Sequence, residues 1–508
     1  MLSITNWEKD IGGTIGEIKL VSIQVNYIDN LALVEGSFMP LVAQGGQARP
    51  KPLVIPQYCK GCGRCAAACP KQCIAPTGEV NPETGCVPVS IDYTKCIGCG
   101  ICCSSCPEPY ALHMDDIKYF WELSAQEQEN IEPEKLPVAK PIADKRIPLP
   151  DTEPLMIKGT YASAIGALLA GCRHFFGYPI TPSTEGAELM AKILPHIQGV
   201  FLQTVSEVAT INYMYGCGGA GRPCMTFTSS PGFSLMLEGL SYMIGAEVPG
   251  VIVNIMRGGP GLGNIGPEQS DIKLVCRGLG HGNTHALALA PADPQEMLDL
   301  TMEAFRLAFK YRQPVIILGD GYLGQVTSQV KLPQYMIEPG MPTWAVAGDR
   351  EHRANLITSI SLTEADLEKF NYHLNDVYEQ MSENEQRADL FKTDDCDVLF
   401  VAANTPARMT KGAIRTLRGQ GIKAGLFRPV TLWPFPIKAL AQLLQERPLR
   451  RIVVVEASHG QLEDEMRLAL SHAGIYELPP IAHVQHSGGI LPQSAEIVQA
   501  VLKMEVPE

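Results

Sequence analysis

Short apolar runs along the 508-residue chain alternate with stretches in which apolar and polar residues recur at helical spacing, and they form two series. In the first series a helical stretch from Tyr161 to Cys172 is followed by a short run ending at Ile180, and a second helical pattern follows Pro182. Val200 to Val205 then precede a helix beginning at Glu207, and Cys224 to Ser229 precede one around Phe233. Val251 to Met256 lead into a glycine-rich loop, and the series closes with a helix from Pro294 to Tyr311 and the apolar run Pro314 to Leu318. The second, shorter series has strands at Val398 to Ala403, Ala424 to Phe427 and Arg451 to Glu456, with a helix near Ser494 to Lys503. Continuous apolar strands between amphipathic helices belong to parallel sheets covered on both faces, so the expected fold class is α/β with two doubly wound parallel-sheet domains.

The rest of the chain differs in texture. Residues 1–50 contain short alternating runs, Ile18 to Val25 and Leu31 to Val34, and read as a β-rich extension without evident chemistry. Residues 51–115 are rich in Cys, Gly and Pro and read as a small cofactor-held module. Residues 116–153 have the polar, proline-rich composition of a linker. The first α/β domain is expected over 154–335, an acidic connector over 336–394 and the second α/β domain over 395–508. With 41 basic and 54 acidic residues the formal charge is -13 and no basic run offers a face to phosphate backbones, which argues against nucleic acid as a partner. Apolar stretches fall short of the roughly 18 residues that span a bilayer, and the first ten residues lack the basic start and apolar run of a signal peptide. A cytoplasmic location is the expectation.

Cysteine usage changes the picture most. Of 16 cysteines, 11 lie between Cys59 and Cys106, and such crowding in a large chain of this kind favours metal over disulfides. Cys59, Cys62, Cys65 and Cys69, followed by Pro70, have the spacing CxxCxxCxxxCP, and Cys96, Cys99, Cys102 and Cys106, followed by Pro107, repeat it. Each member is displaced by 37 residues (96 − 59, 99 − 62, 102 − 65, 106 − 69), so the module is an internal duplication. Three thiolates at two-residue intervals can wrap one cubane, whereas the fourth faces the other cluster. The expected sets are crossed: Cys59, Cys62, Cys65 and Cys106 for one 4Fe-4S cluster, and Cys69, Cys96, Cys99 and Cys102 for the other. Structural zinc also accepts paired CxxC, but four-ligand sites do not account for eight cysteines in this pattern. The module resembles the bacterial two-cluster ferredoxin, a small α+β fold. Cys73, Cys86 and Cys103 fall outside the pattern and read as small buried residues, as do Cys172, Cys217, Cys224, Cys276 and Cys396. His281, His285, His459, His483 and His486 fall in turns or strand ends and read as ordinary hydrogen-bonded or surface histidines.

In the first α/β domain single motifs are ambiguous and their combination decides. Thr181 before Pro182 suits a helix N-cap followed by proline at the first helical position. Glu207 stands three residues after Thr204, the spacing of a capping box. Arg257 ends an apolar strand before the loop and could clamp a carboxylate. Gly261, Gly263 and Gly266 satisfy GxGxxG, but no Asp or Glu lies between Gly280 and Ala292, where a dinucleotide site needs one.

Taken in order, YPITPSTE, SEVATINYMYG, FTSSPGFSLMLEGLSYMIGAEVP and NIMRGGPGLGN resemble the pyrimidine-binding domain of the 2-oxoacid:ferredoxin oxidoreductases, in their α-type subunit, over about residues 155–330. FRPVTLWPFP and VVVEASHGQLEDEMR resemble the family's transketolase C-terminal-like domain. The resemblance implies that Glu207 hydrogen-bonds the aminopyrimidine of thiamine diphosphate, that Thr181 bonds a substrate oxygen, and that Arg257 holds the substrate carboxylate. It implies CoA-dependent oxidative decarboxylation of a 2-oxoacid, with electrons leaving through the clusters to a ferredoxin or similar acceptor. The GPGLGN loop resembles the branched-chain or aromatic branch. Thiamine enzymes hold the diphosphate through Mg2+ with a GDG motif and a later Asn; here Gly319, Asp320 and Gly321 are present, but residues 345–352 read AVAGDREH without Asn. That GDG reads as a strand-end turn, and the magnesium half-site is expected from a β-type partner subunit, with a γ-type subunit also implied. The rival reading is a non-catalytic iron-sulfur electron-transfer subunit of a larger redox complex. A hydride-transferring dehydrogenase is a second rival and depends on the GxGxxG match.

Overall fold

The computed structural model describes residues 51–56, 58–82, 85–108, 111–114, 139–349, 351–352 and 355–504. The runs Ile18 to Val25 and Leu31 to Val34 lie outside the described residues, as does most of the stretch read as linker. Two compact units divide the chain, Met1–Lys135 and Leu136–Glu508.

In the first unit β1 (Pro52–Val54), helix α1 (Arg64–Ala68) and β2 (Ile74–Pro76) are followed by β3 (Val89–Ile91), helix α2 (Ile101–Ser105) and β4 (Leu112–Met114). The two halves interlock: β1 pairs antiparallel with β4, and β2 with β3. The sequence duplication is visible in the backbone, because α1 and α2 begin 37 residues apart (101 − 64). Gly63 and Gly100, at φ 75° and 73°, occupy the left-handed position before each helix. A side chain there would be strained, and each glycine turns the chain into the helix that carries the third cysteine of its motif.

The second unit begins with β5 (Lys145–Pro148), β6 (Leu155–Lys158), β7 (His174–Gly177), β8 (Val200–Gln203) and β9 (Cys224–Thr228). β10 (Gly250–Met256), β11 (Leu287–Leu289), β12 (Pro314–Asp320), β13 (Thr327–Val330) and β14 (Tyr335–Glu338) follow. The last strands are β15 (Ala388–Phe391), β16 (Val398–Val401), β17 (Ala424–Pro429), β18 (Thr431–Trp433), β19 (Arg451–Glu456) and β20 (Ile481–Gln485). A seven-stranded sheet has the order β18-β11-β12-β10-β9-β7-β8, and a five-stranded sheet the order β15-β17-β16-β19-β20. Every residue of β10 and β12 is buried, as expected for central strands covered on both faces. The fold is α/β with two parallel sheets, each closed at one edge by a short antiparallel strand, β18 or β15.

Those short strands depart from the sequence expectation. β18 follows the strand Ala424–Pro429 of the second series but completes the first sheet. β15 lies in the stretch read as connector and edges the second sheet. β5, in the stretch read as linker, pairs with β14, and β6 pairs with β13. Three or four residues carry too little periodicity to announce a strand, whereas an unpaired sheet edge accepts any segment delivered to it. Local signals do set the long helix Pro294–Tyr311: Asp293 accepts from the Glu296 N–H at 2.9 Å, proline occupies the first turn, and Glu296 accepts from the Ala292 N–H.

A buried polar network joins the two sheets. Asp320 ends β12 and accepts four hydrogen bonds, from the N–H groups of Tyr322, Leu323 and Thr405 and from the Thr405 hydroxyl, at 2.8–3.0 Å. Asn404 donates to the carbonyls of Pro291 and Leu318. Gln269 donates to Asn404 Oδ1 and accepts from the Ala457 N–H. Asp320→Ala strands several buried donors, and thermal denaturation of the full chain should show a loss of at least about 3 kcal/mol. An unchanged Tm would contradict this account of the junction.

Candidate active-site crevice and cysteine cavities

In the seven-stranded sheet β8 lies on one side of β7 and β9 on the other, so the chain reverses its direction of travel across the sheet at β7. Loops leaving the carboxyl ends of strands part at such a point and leave a crevice. Thr181 lies after β7, Glu207 after β8, Ser229 and Ser230 after β9, and Arg257 after β10.

Both capping explanations give way to others. The helix after β7 is Thr184–Ile193, preceded by Ser183 with no side-chain cap bond, and Thr181 is exposed ahead of it. Helix Glu207–Gly219 is capped by Ser206, whose Oγ accepts from the Ala209 N–H at 3.3 Å. Thr204 instead bonds the Thr210 hydroxyl at 2.6 Å. Glu207 is thereby the first helical residue, and its carboxylate has no capping task. It is 4% exposed, burial pushes its pKa up, and only its own backbone N–H opposes that shift. Gly232 makes room for it: a Cβ there would stand 2.4 Å from Glu207 Oε1 and 2.5 Å from Thr228 Oγ1.

Arg257 is almost fully buried and ties two loops together, donating from Nη1 to the Thr181 carbonyl at 2.8 Å and from Nη2 to the Leu262 carbonyl at 3.0 Å. Its Nε and the Ser229 hydroxyl are buried without a hydrogen-bond partner among the described residues. Ser230 Oγ accepts from the Arg257 N–H at 3.1 Å. The FTSSPGFS segment thus supplies Ser229, Ser230 and Gly232, none of which stood out in sequence because their spacing is that of an ordinary helix start. The GDG segment is a turn at the end of β12, with the Asp320 carboxylate occupied by its four donors.

In the first unit one hollow is lined by Cys69, Cys96, Cys99 and Cys102, and a second by Cys59, Cys62, Cys65 and Cys106. Three cysteines of one motif and the last of the other surround each. Cys73 also lines the first, with its sulfur 3.3 Å from that of Cys69. Gly61 permits close approach, since a Cβ there would stand 2.2 Å from the Val87 carbonyl oxygen. Among the described residues no three His, Cys, Asp or Glu side chains converge as they do around a single metal ion.

Fold and crevice together define an α/β protein of the thiamine-enzyme kind, with its site where the strand order reverses. A family model described as pyruvate flavodoxin/ferredoxin oxidoreductase, thiamine diphosphate-binding, matches residues 165–392, and one for pyruvate:ferredoxin oxidoreductase core domain II matches 396–497. The chain is 46% identical over 315 residues to the ketoisovalerate oxidoreductase subunit VorB of Methanothermobacter thermautotrophicus, covering 62% of this chain and 89% of that one. It is 37% identical over 316 residues to the 2-oxoglutarate synthase subunit KorA of Archaeoglobus fulgidus, covering 61% and 90%. A solved 2-oxoglutarate:ferredoxin oxidoreductase from Magnetococcus marinus, with 2-oxoglutarate, coenzyme A and succinyl-CoA bound, superposes with TM-score 0.63 at 25% identity, over 69% of this chain and 65% of that chain. The chain belongs to the 2-oxoacid:ferredoxin oxidoreductase family, as an oxidoreductase subunit. The cysteine module lies outside both matched segments.

Gly232→Ala drives a methyl group against Glu207. We expect it to lower turnover of the assembled enzyme by at least about tenfold, the scale of a small misplacement in an active site, with the circular dichroism spectrum unchanged. Wild-type turnover would show that Glu207 does not need this position.

Proposed function

We propose that this chain is the α-type subunit, with a fused two-cluster ferredoxin module, of an enzyme that oxidatively decarboxylates a 2-oxoacid to acyl-CoA and CO2. The observation that carries this is the Glu207 carboxyl, buried in the crevice with no ion pair to it among the described residues. Thiamine diphosphate, when bound, supplies the nucleophilic carbon and the electron sink. The chain's part is positioning. Burial favours the protonated Glu207 carboxyl, which suits Oε to sharing a proton with a ring nitrogen. Arg257 and Thr181, joined through the 2.8 Å bond, would orient the substrate's carboxylate and oxo oxygen.

The residues of the first unit also fit their group. Two four-cysteine cavities in crossed sets suit two 4Fe-4S clusters, which supply one-electron carriers for a two-electron oxidation.

Because the Asp320 carboxylate is fully buried and takes four hydrogen bonds within the junction between the sheets, Mg2+ and the diphosphate half-site are assigned to a β-type partner subunit, with a γ-type subunit completing the complex. Exposed apolar side chains beside the crevice loops, Val205 at 88% and Leu262 at 80%, suit coverage by such a partner. Higher identity to the ketoisovalerate enzyme than to the 2-oxoglutarate synthase favours a branched-chain substrate. A ferredoxin-like acceptor and a cytoplasmic setting complete the reading; among the described residues no helix is long and apolar enough to cross a membrane.

Two measurements test it. The purified chain should be brown yet inactive, and the complex should reduce a low-potential acceptor with a branched-chain 2-oxoacid and CoA; turnover by the chain alone would refute the shared site. Cys59→Ser and Cys106→Ser should each perturb one electron paramagnetic resonance signal, and Cys69→Ser and Cys96→Ser the other. Pairing of Cys106 with Cys96 would refute the crossed assignment.

A further inference from the structure

At the end of the seven-stranded sheet opposite the crevice, three cysteines and a histidine gather that the proposed chemistry does not use. His174 and Cys224 are the first residues of β7 and β9 and stand directly opposite each other in the parallel ladder, so their side chains share a face. Helix Glu207–Gly219 covers that face: the Cys224 thiol donates to the Met214 carbonyl at 3.6 Å, and Cys217 lies one turn further along the same helix. The Cys217 thiol points back to the Arg222 carbonyl, at 3.8 Å, two residues before Cys224. His174 Nδ1 lies 3.3 Å from the Pro223 carbonyl, and the Cys172 thiol donates to the His174 carbonyl. Cys172 and Cys224 are fully buried, whereas Cys217 is partly open to solvent.

We propose that Cys217 and Cys224 form a peroxide-reactive thiol pair, with Cys217 as the attacking thiolate, Cys224 as the resolving thiol and His174 as the neighbour that stabilises the thiolate. The neighbouring Cys224, then His174, with the charge of Arg222 adding to both, bring the Cys217 thiol down to about 6 against the effect of burial. The interaction with Cys217 in turn keeps the Cys224 proton in place. The Cys217 thiolate attacks one oxygen of a hydroperoxide, the O–O bond breaks, and hydroxide or alkoxide leaves while the sulfur becomes a sulfenic acid. Cys224 then attacks that sulfur, the S–O bond breaks, and its proton leaves with the hydroxyl as water. Two electrons pass from the two thiols to the peroxide, and one disulfide forms. The link fastens the last turn of the helix that begins at Glu207 to the start of β9.

Treating the full chain with a stoichiometric amount of hydrogen peroxide, blocking free thiols and mapping peptides by mass spectrometry tests this directly. We expect a peptide pair joined through Cys217 and Cys224, absent from both Cys217→Ser and Cys224→Ser. In Cys224→Ser, Cys217 should be trapped as a sulfenic acid by a 1,3-dione. In His174→Asn, formation of the link should slow several-fold. Cys217 recovered as a free thiol, or joined to Cys172 instead of Cys224, would overturn the assignment. Circular dichroism of each variant distinguishes loss of the link from loss of the fold.

Discussion

The second unit depends on one constraint: a carboxyl group is buried where the strand order reverses, with no cation paired to it among the described residues. Burying such a group is unfavourable, and the structure limits the cost in two ways. Glu207 stands at the first position of a helix, where the unpaired N–H groups and the helix dipole favour negative charge. The next helix, Ser230–Gly245, meets it at a glycine, the residue type whose missing side chain leaves the space empty. Ser206 takes over the capping role and leaves the carboxylate free.

Other features of that unit keep this arrangement in place. Arg257 spans the loops after β7 and β10, so Thr181 and the glycine-rich loop are set relative to each other by two hydrogen bonds. Asp320, Asn404 and Gln269 join the two sheets through buried donors and acceptors, and β18 seals an edge of the first sheet. The GDG segment, which elsewhere binds a metal, has its carboxylate consumed in this junction. That substitution of a structural role for a binding role is the physical reason for assigning the diphosphate half-site to another chain.

Much of this was legible in the sequence where the signal is covalent or periodic. The cysteine spacing leaves few ways to surround a cluster, and the duplication by 37 residues reappears in the helices and turning glycines of the first unit. Long apolar runs such as Val251 to Met256 are strands, and the helix Pro294–Tyr311 has the bounds expected of it. The capping residues were not legible: Thr204 and Ser206 lie two positions apart and both could cap, and only packing against Thr210 decides between them. Gly232 was hidden because its requirement arises where two helices meet. The thiol group around Cys217 was hidden for the same reason, since its members come from two strands and a helix.

The central claim, that Glu207 acts on the cofactor and is not merely part of a scaffold, is tested most directly by deuterium exchange at the thiazolium carbon of thiamine diphosphate in the assembled complex carrying Glu207→Gln. The account predicts that exchange slows by at least about a hundredfold, the scale for losing a positioned proton-transfer partner, while the iron-sulfur signals stay intact. Exchange at the wild-type rate with intact clusters would contradict it and leave the α/β domains as a frame for electron transfer.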